Sequence, residues 1–260
     1  MARNTRVFAA IAALSLIVAA CGGSDSKASE GGLKLVKDGS LTVCSDAPYE
    51  PFEFQAKDGT WTGFDMDVMR KIAEANNLEL AVTVQPFDGI WLAPAAGKCD
   101  VVASSMTITE ERQQAADFTD SYFDAFQSLL VRKADAEMYT SLESLKGKTI
   151  AVQTGTTGES YAKENAKDSK LQSFDEASAM FLALESGQVD AVLQDYLINK
   201  ERADKQGTSA VSVKFEETPE SYGFAVEKGN TALLQILNKG IKDLRDSGDY
   251  DTIYNKYFIG

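Results

Sequence analysis

Apolar residues in this chain change their period again and again, and that alternation limits the folds open to it. Strand-like runs at 41–46, 80–84 and 101–104 are separated by two helical segments. One is a stripe of Phe64, Val68, Met69, Ile72 and Ala73 within 64–77, the other a shorter stretch at 89–96. Strand–helix–strand–helix–strand implies parallel pairing with right-handed crossovers. The pattern then recurs, with strands at 149–153 and 189–194 and helices at 159–166, 176–186 and 197–205. A strand at 223–226 precedes a closing helix, where Leu233, Leu237, Ile241 and Leu244 fall on one face.

Two α/β units of similar size with no long linker predict two lobes. Segments 122–126 and 218–222 read as extended crossings between them, since Pro219 disfavours helix at Thr218. Paired, they make a hinge, and the C-terminal segment returns to the first lobe. The expected boundaries are 41–121 plus 223–260 for lobe 1, 127–217 for lobe 2, and hinges at 122–126 and 218–222.

The N-terminus reads as a targeting segment. Arg3 and Arg6 precede a run at 7–20 that is apolar except for Ser15. That run falls short of the ~20 residues needed to span a bilayer, so residues 1–20 are expected to be a signal peptide. Its end, Val18-Ala19-Ala20-Cys21, resembles the bacterial lipobox, which implies lipidation of Cys21, palmitate included. Residues 21–40, rich in Gly and Ser, then read as a flexible tether.

The net charge of −13, near −15 once Arg3 and Arg6 are removed (−13 − 2), opposes binding to nucleic acid. The chain has 0 histidines, which removes the commonest general base and the commonest zinc ligand together. No metal and no cofactor is expected. Cys44 and Cys99 either pair outside the cytoplasm or stay as buried thiols; the sequence leaves both open.

Open parallel sheets bind ligands beyond the carboxyl ends of their strands. Those positions hold Asp46, Phe87 and Ser104-Ser105-Met106-Thr107 in the first unit, and Gln153-Thr154-Gly155-Thr156-Thr157 and Asp195 in the second. Thr107-x-x-Glu110 and Thr156-x-x-Glu159 both match a capping box, which would aim free N–H groups beyond each sheet. The second loop lacks the spacing and lysine of a phosphate loop. Arg112 is the one cation close to the hydroxyl-rich loop and can grip a carboxylate bidentately. Asp46 and Asp195 suit ammonium or amide groups, and Tyr49 and Phe87 an intervening chain. A ligand with a carboxylate, an ammonium and a polar side chain is an α-amino acid.

The motifs Ser45-Asp46-x-x-Tyr49-x-Pro51-Phe52-Glu53-Phe54, Gly63-Phe64-Asp65-x-Asp67, Phe87-x-Gly89-Ile90, Thr107-Ile108-Thr109-x-x-Arg112, Gly155-Thr156-Thr157 and Asp190-Ala191-Val192-x-x-Asp195 occur in this order. In them the chain resembles the polar amino-acid-binding family of bacterial extracellular solute-binding proteins, family 3. That family includes glutamine-, histidine- and lysine/arginine/ornithine-binding proteins. The resemblance implies a two-lobed periplasmic-binding-protein clamshell of type II. It also implies capture of a free amino acid for an ABC permease in the cytoplasmic membrane, by a monomer held outside the cytoplasm on its lipid anchor.

It implies roles as well. Arg112 would clamp the α-carboxylate with Thr107 and the backbone near Thr157. Asp195 would take the α-ammonium, with Ser105 nearby. Tyr49 and Phe87 would flank the side chain, and Asp46 would face its far end. Ser104-Ser105 resembles the basic amino-acid binders. Gln153 departs from the lysine of the glutamine-binding relative, which argues against strict glutamine specificity. Asp46 disfavours acidic ligands and favours arginine, lysine or ornithine, or an amide such as glutamine. The expected ligand is a basic amino acid, with glutamine or another polar amino acid as the alternative. Two other uses of such a fold, a dehydratase and a sensor domain, fit less well. Asp46, Asp195 and Arg112 are already accounted for by amino-acid binding, and a sensor domain is expected to continue into a membrane or signalling segment, which residues 231–260 do not read as.

Overall fold

The computed structural model describes Met1 and residues 33–259. The signal segment, Cys21 and the tether up to residue 32 lie outside the described residues. The first lobe runs through β1 (Ser40–Ser45), β2 (Phe54–Gln55), β3 (Trp61–Thr62), α1 (Phe64–Ala75), β4 (Glu79–Val84), β5 (Val101–Val102), α2 (Glu110–Ala115) and β6 (Ala116–Phe118). The long strand β7 (Phe123–Arg132) leads into the second lobe. There follow β8 (Thr149–Gln153), α3 (Thr157–Asn165), β9 (Lys170–Phe174), α4 (Ala177–Glu185), β10 (Ala191–Asp195) and α5 (Tyr196–Gln206). Strand β11 (Ser209–Tyr222) returns to β12 (Ala225–Glu227), α6 (Thr231–Ser247) and α7 (Asp249–Phe258).

The described strands form two five-stranded sheets, β4-β1-β5-β12-β6 and β11-β7-β10-β8-β9, and a β2–β3 hairpin. Pairing is parallel where a helix crosses over: β1 with β4 and β5, and β8 with β9 and β10. It is antiparallel where the chain passes between lobes. Strand β7 opposes β10 and β11, and β12 opposes β5 and β6. Each sheet is therefore mixed, because a strand that enters a lobe from the other one needs no crossover helix. In the crossing itself Phe123, Asp124, Ala125 and Phe126 face Tyr222, Ser221, Glu220 and Pro219.

Period-2 alternation sorts the second sheet. Leu129, Val131, Ile150, Val152, Ala191 and Leu193 face one hydrophobic cluster, while Leu130, Ala151 and Val192 face another. Helix α6 buries Leu233, Leu237, Ile241 and Leu244. It lies so close to α1 that a Cβ on Gly240 would meet Ile72 at 2.6 Å. Helix α7, which carries no long aliphatic stripe, docks by its rings: Tyr250, Tyr254 and Phe258 each lie 5.4–6.4 Å from Phe64. Residues 33–39, read above as tether, pack on the first lobe instead. Leu33 and Leu35 cover its core, and the Val36 N–H donates to Asp100 at 2.7 Å.

Asp100 also accepts from the Thr42 N–H at 2.7 Å, fixing the start of β5 against β1. One residue earlier, Cys99 is joined to Cys44 by a disulfide with a Cα–Cα distance of 5.7 Å. The bond closes a loop with a sequence separation of 55. Loop-closure entropy for that span gives about 4 kcal/mol, with 2–4 kcal/mol typical of native bridges. The Cys44→Ser/Cys99→Ser double variant should therefore lose about 2–4 kcal/mol in urea unfolding, and reductant should shift the midpoint of the parent but not of the variant.

Candidate functional site

The strand ends of both lobes meet in one cavity, whose lining includes Asp46, Tyr49, Phe87, Ser104, Ser105, Thr107, Gln153, Thr156, Thr157 and Asp195. Every expected site residue except Arg112 is in that lining. Glu53, Gln127, Gly158 and Gln194 complete it. The volume left open is ≈ 20 Å³, little more than a single water needs.

Local structure explains the placement. Strand β1 is buried throughout and delivers Asp46 to its end, where the Asp46 N–H donates to Ser104 Oγ at 2.8 Å. Gly63 lets the Phe52–Glu53 backbone approach α1, because a Cβ there would lie 2.1 Å from the Phe52 carbonyl oxygen. This brings Glu53 under the β5 exit, where it accepts from Ser104 Oγ at 3.2 Å and Ser105 Oγ at 3.1 Å. Ser105 itself sits at φ 46, a left-handed conformation costly for a serine. Asp65 holds it there, accepting the Ser105 N–H at 2.9 Å and the Tyr122 hydroxyl at 2.7 Å.

In the second lobe, Thr156 caps α3 and accepts the Glu159 N–H at 3.1 Å. The Glu159 carboxylate reaches back to the Gly155 N–H at 3.0 Å, so the capping-box reading of this loop describes it, displaced by one residue. The matching reading at Thr107 does not hold. Helix α2 is capped by Thr109, which accepts from Arg112 N–H at 3.2 Å, and Thr107 turns its hydroxyl to the cleft instead.

The lobes meet through side chains of the site. Gln153 donates to Asp46 at 2.5 Å, and the Tyr49 hydroxyl to Asp195 at 3.1 Å. Asp195 also accepts from Tyr222 at 2.5 Å and Gln127 at 2.6 Å. Arg112 is displaced from the expected arrangement. Its guanidinium donates to the Thr107 carbonyl at 2.7 Å and the Gly155 carbonyl at 3.0 Å, between the rings of Phe87 and Trp91, each 5.2 Å away. It walls an adjoining cleft with Thr157 and Glu220 rather than the Asp46 cavity.

Sequence reasoning missed Glu53, Gln127, Gln194 and Gly158. Gln127 and Gln194 are polar residues inside otherwise apolar strands, a signal available in the sequence. Gly158 carries none: its need for glycine comes from Gln127 Oε1, which a Cβ would meet at 2.8 Å.

The lining holds three carboxyls and no basic side chain. Burial pushes Asp46 up from its usual 3.8 to about 7, against the opposing Gln153 bond. Asp195 rises to about 7 through burial and then the nearby charge of Glu220. Burial, with Asp65 and Asp46 close by, holds Glu53 well above the carboxylate range. Among the described residues no cluster of three or more metal-ligating side chains occurs, and no helix is long and apolar enough to cross a membrane.

Comparison with known proteins adds an independent line. Residues 41–177 and 154–260 match the model of bacterial extracellular solute-binding proteins, family 3. A relative named "Probable histidine-binding protein", from Neisseria gonorrhoeae, is 34% identical over 97% of this chain and 94% of its own. An ancestral arginine-binding protein, solved with arginine and separately with glutamine, is 39% identical with a TM-score of 0.80; the match covers 85% of this chain and 98–99% of that one. An ancestral amino-acid-binding protein described as a precursor of cyclohexadienyl dehydratase is 37% identical, with a TM-score of 0.79 over 85% of this chain and 96% of its own.

The raised carboxyls set a pH dependence. Between 3.8 and about 7, native Asp46 and Asp195 keep protons that the unfolded chain has released. The native state binds more protons there, so stability falls as pH rises through this window. Urea midpoints should drop between pH 5 and pH 8, and the Asp46→Asn/Asp195→Asn double variant should flatten the slope.

Proposed function

Since the chain belongs to family 3 of the bacterial extracellular solute-binding proteins, with their two-lobed fold and their use in amino-acid import, we propose that its ligand is a basic L-amino acid: arginine, lysine or ornithine. The observation that carries this is the charge of the cavity. Asp46 and Glu53 from one lobe and Asp195 from the other are buried there without a basic partner in the lining. A ligand with positive charge at both ends offsets their desolvation, and a neutral side chain leaves Asp46 uncompensated.

In this reading Asp195 takes the α-ammonium from Tyr49, and Asp46 takes the side-chain cation from Gln153. Glu53 stands behind the two serines and holds their hydroxyls in place. Tyr49 and Phe87 flank the aliphatic segment. Arg112 turns from the Thr107 and Gly155 carbonyls to the α-carboxylate, with the Thr107 and Thr157 hydroxyls. The ligand contacts both lobes only when the cleft is shut, so closure around the paired crossing of β7 and β11 gains contacts that the open form lacks. Charge-assisted bonds worth ~1.5–3 kcal/mol each support low-micromolar or tighter affinity.

The closed form would dock on an ABC permease in the cytoplasmic membrane. Lipidated Cys21 would hold the protein, as a monomer, on the extracytoplasmic side. Glutamine is the second reading, favoured by the ancestral neighbour solved with it and by the amide of Gln153 at Asp46. The role is binding rather than turnover: the relatives are named as binding proteins, and Asp46, Asp195 and Arg112 each have a counterpart on a basic amino acid.

Thermal-shift assays across single amino acids should rank arginine, lysine and ornithine first; a ligand at a hundred times its Kd adds about 2.7 kcal/mol. If no amino acid stabilises the protein, the proposal fails. By calorimetry, Asp46→Asn should weaken arginine binding about 10–100-fold while changing glutamine binding little. Arg112→Ala should abolish binding of both.

A further inference from the structure

Resting on the reading above, we infer that Glu220 is a built-in competitor for the ligand carboxylate, so that affinity is set partly by the work of displacing it. Glu220 lies on β11 where that strand pairs with β7, opposite Ala125. One of its carboxylate oxygens, Oε2, accepts from the Thr107 hydroxyl and from the Thr157 hydroxyl, the latter at 2.9 Å. The other, Oε1, accepts from Gln127 Nε2 at 2.8 Å. Thr107 belongs to the first lobe and Thr157 to the second, so this one carboxylate bridges the cleft from the crossing strand.

These donors are the ones a ligand carboxylate would use, and Arg112 and Glu220 wall the same cleft. A hydroxyl carries a single proton. Thr107 and Thr157 can each donate to Glu220 or to a bound anion, not to both. Two carboxylates in the same small space would also repel one another. An incoming amino acid therefore has to expel the Glu220 side chain before Thr107, Thr157 and Arg112 are free to grip it. Until that happens, Glu220 holds the lobes together through the same pair of hydroxyls.

The affinity of a site that is open only part of the time is reduced by that fraction. Removing the charge from Glu220 should therefore tighten binding, the opposite of what loss of a ligand contact does. The test compares the parent, Glu220→Gln, Glu220→Ala and a control, Glu216→Gln, an exposed residue that pairs with Lys214. Arginine affinity is read by calorimetry. The interlobe distance in buffer alone is read between spin labels at the exposed positions 57 and 167, with circular dichroism confirming the fold.

Both Glu220 variants should bind arginine about tenfold more tightly and show a longer interlobe distance, while Glu216→Gln changes neither. Equal or weaker binding by both Glu220 variants, or an unchanged distance, overturns the inference. If the parent binds no amino acid, it is the function proposed above that fails. The distance measurement then still decides whether Glu220 bridges the lobes: a longer distance in the variants supports it, and an unchanged one overturns it.

Discussion

Taking a carboxylate out of water costs several kcal/mol unless a partner compensates, and here Asp46, Glu53, Asp65 and Asp195 are all buried around one cleft. Their partners are hydroxyls, amides and backbone N–H groups instead of cations. Ser104 and Ser105 serve Glu53, Ser105 and Tyr122 serve Asp65, Gln153 serves Asp46, and Tyr49, Tyr222 and Gln127 serve Asp195. Neutral donors soften the penalty without cancelling it, which is why these groups hold protons to a higher pH. Much of the local geometry follows from supplying those donors: the left-handed turn at Ser105, the glycine at 63, and the amides of Gln127 and Gln153.

The sequence carried the fold where a single face decides an element. The stripe of Leu233, Leu237, Ile241 and Leu244 is buried on α6, and β8 runs over 149–153 as its apolar pattern indicates. Elements that depend on distant partners were not legible. Helix α7 is held by its own Tyr250, Tyr254 and Phe258 against Phe64, with Phe52 and Phe123 also on Phe258, and β9 is a polar edge strand that exists because β8 offers it a ladder. The site followed the same rule. Residues directly after a strand could be located from topology, so Asp46, Gln153 and Asp195 were found. Gln127 and Glu220 reach the cleft from the middle of long crossing strands, a position fixed by the pairing of β7 with β11. Arg112 was expected in the cavity, but its partners are backbone carbonyls that no spacing rule encodes.

The crossing strands join these two themes. An aromatic group beneath them, with Phe52, Phe123 and Tyr222 at ring distances of 4.9–5.8 Å, packs the base of the cleft. Tyr222 belongs to that group by its ring and to the site by its hydroxyl on Asp195. Packing at the base and polar chemistry in the cleft therefore share a residue, and Glu220 lies two positions away on the same strand.

The disulfide gains a meaning from its position. Cys44 lies two residues before Asp46, and Cys99 precedes β5, whose exit carries Ser104 and Ser105. The two walls joined by that bond present Asp46 and the serines that hold Glu53, a region whose described lining holds carboxyls and no basic side chain to draw the walls together. A covalent bond keeps its length whatever the protonation state or salt concentration. The part of the cleft least able to cohere by electrostatics is thus fixed by a link that electrostatics does not alter, and the first lobe presents one shape to a ligand across a wide range of surroundings.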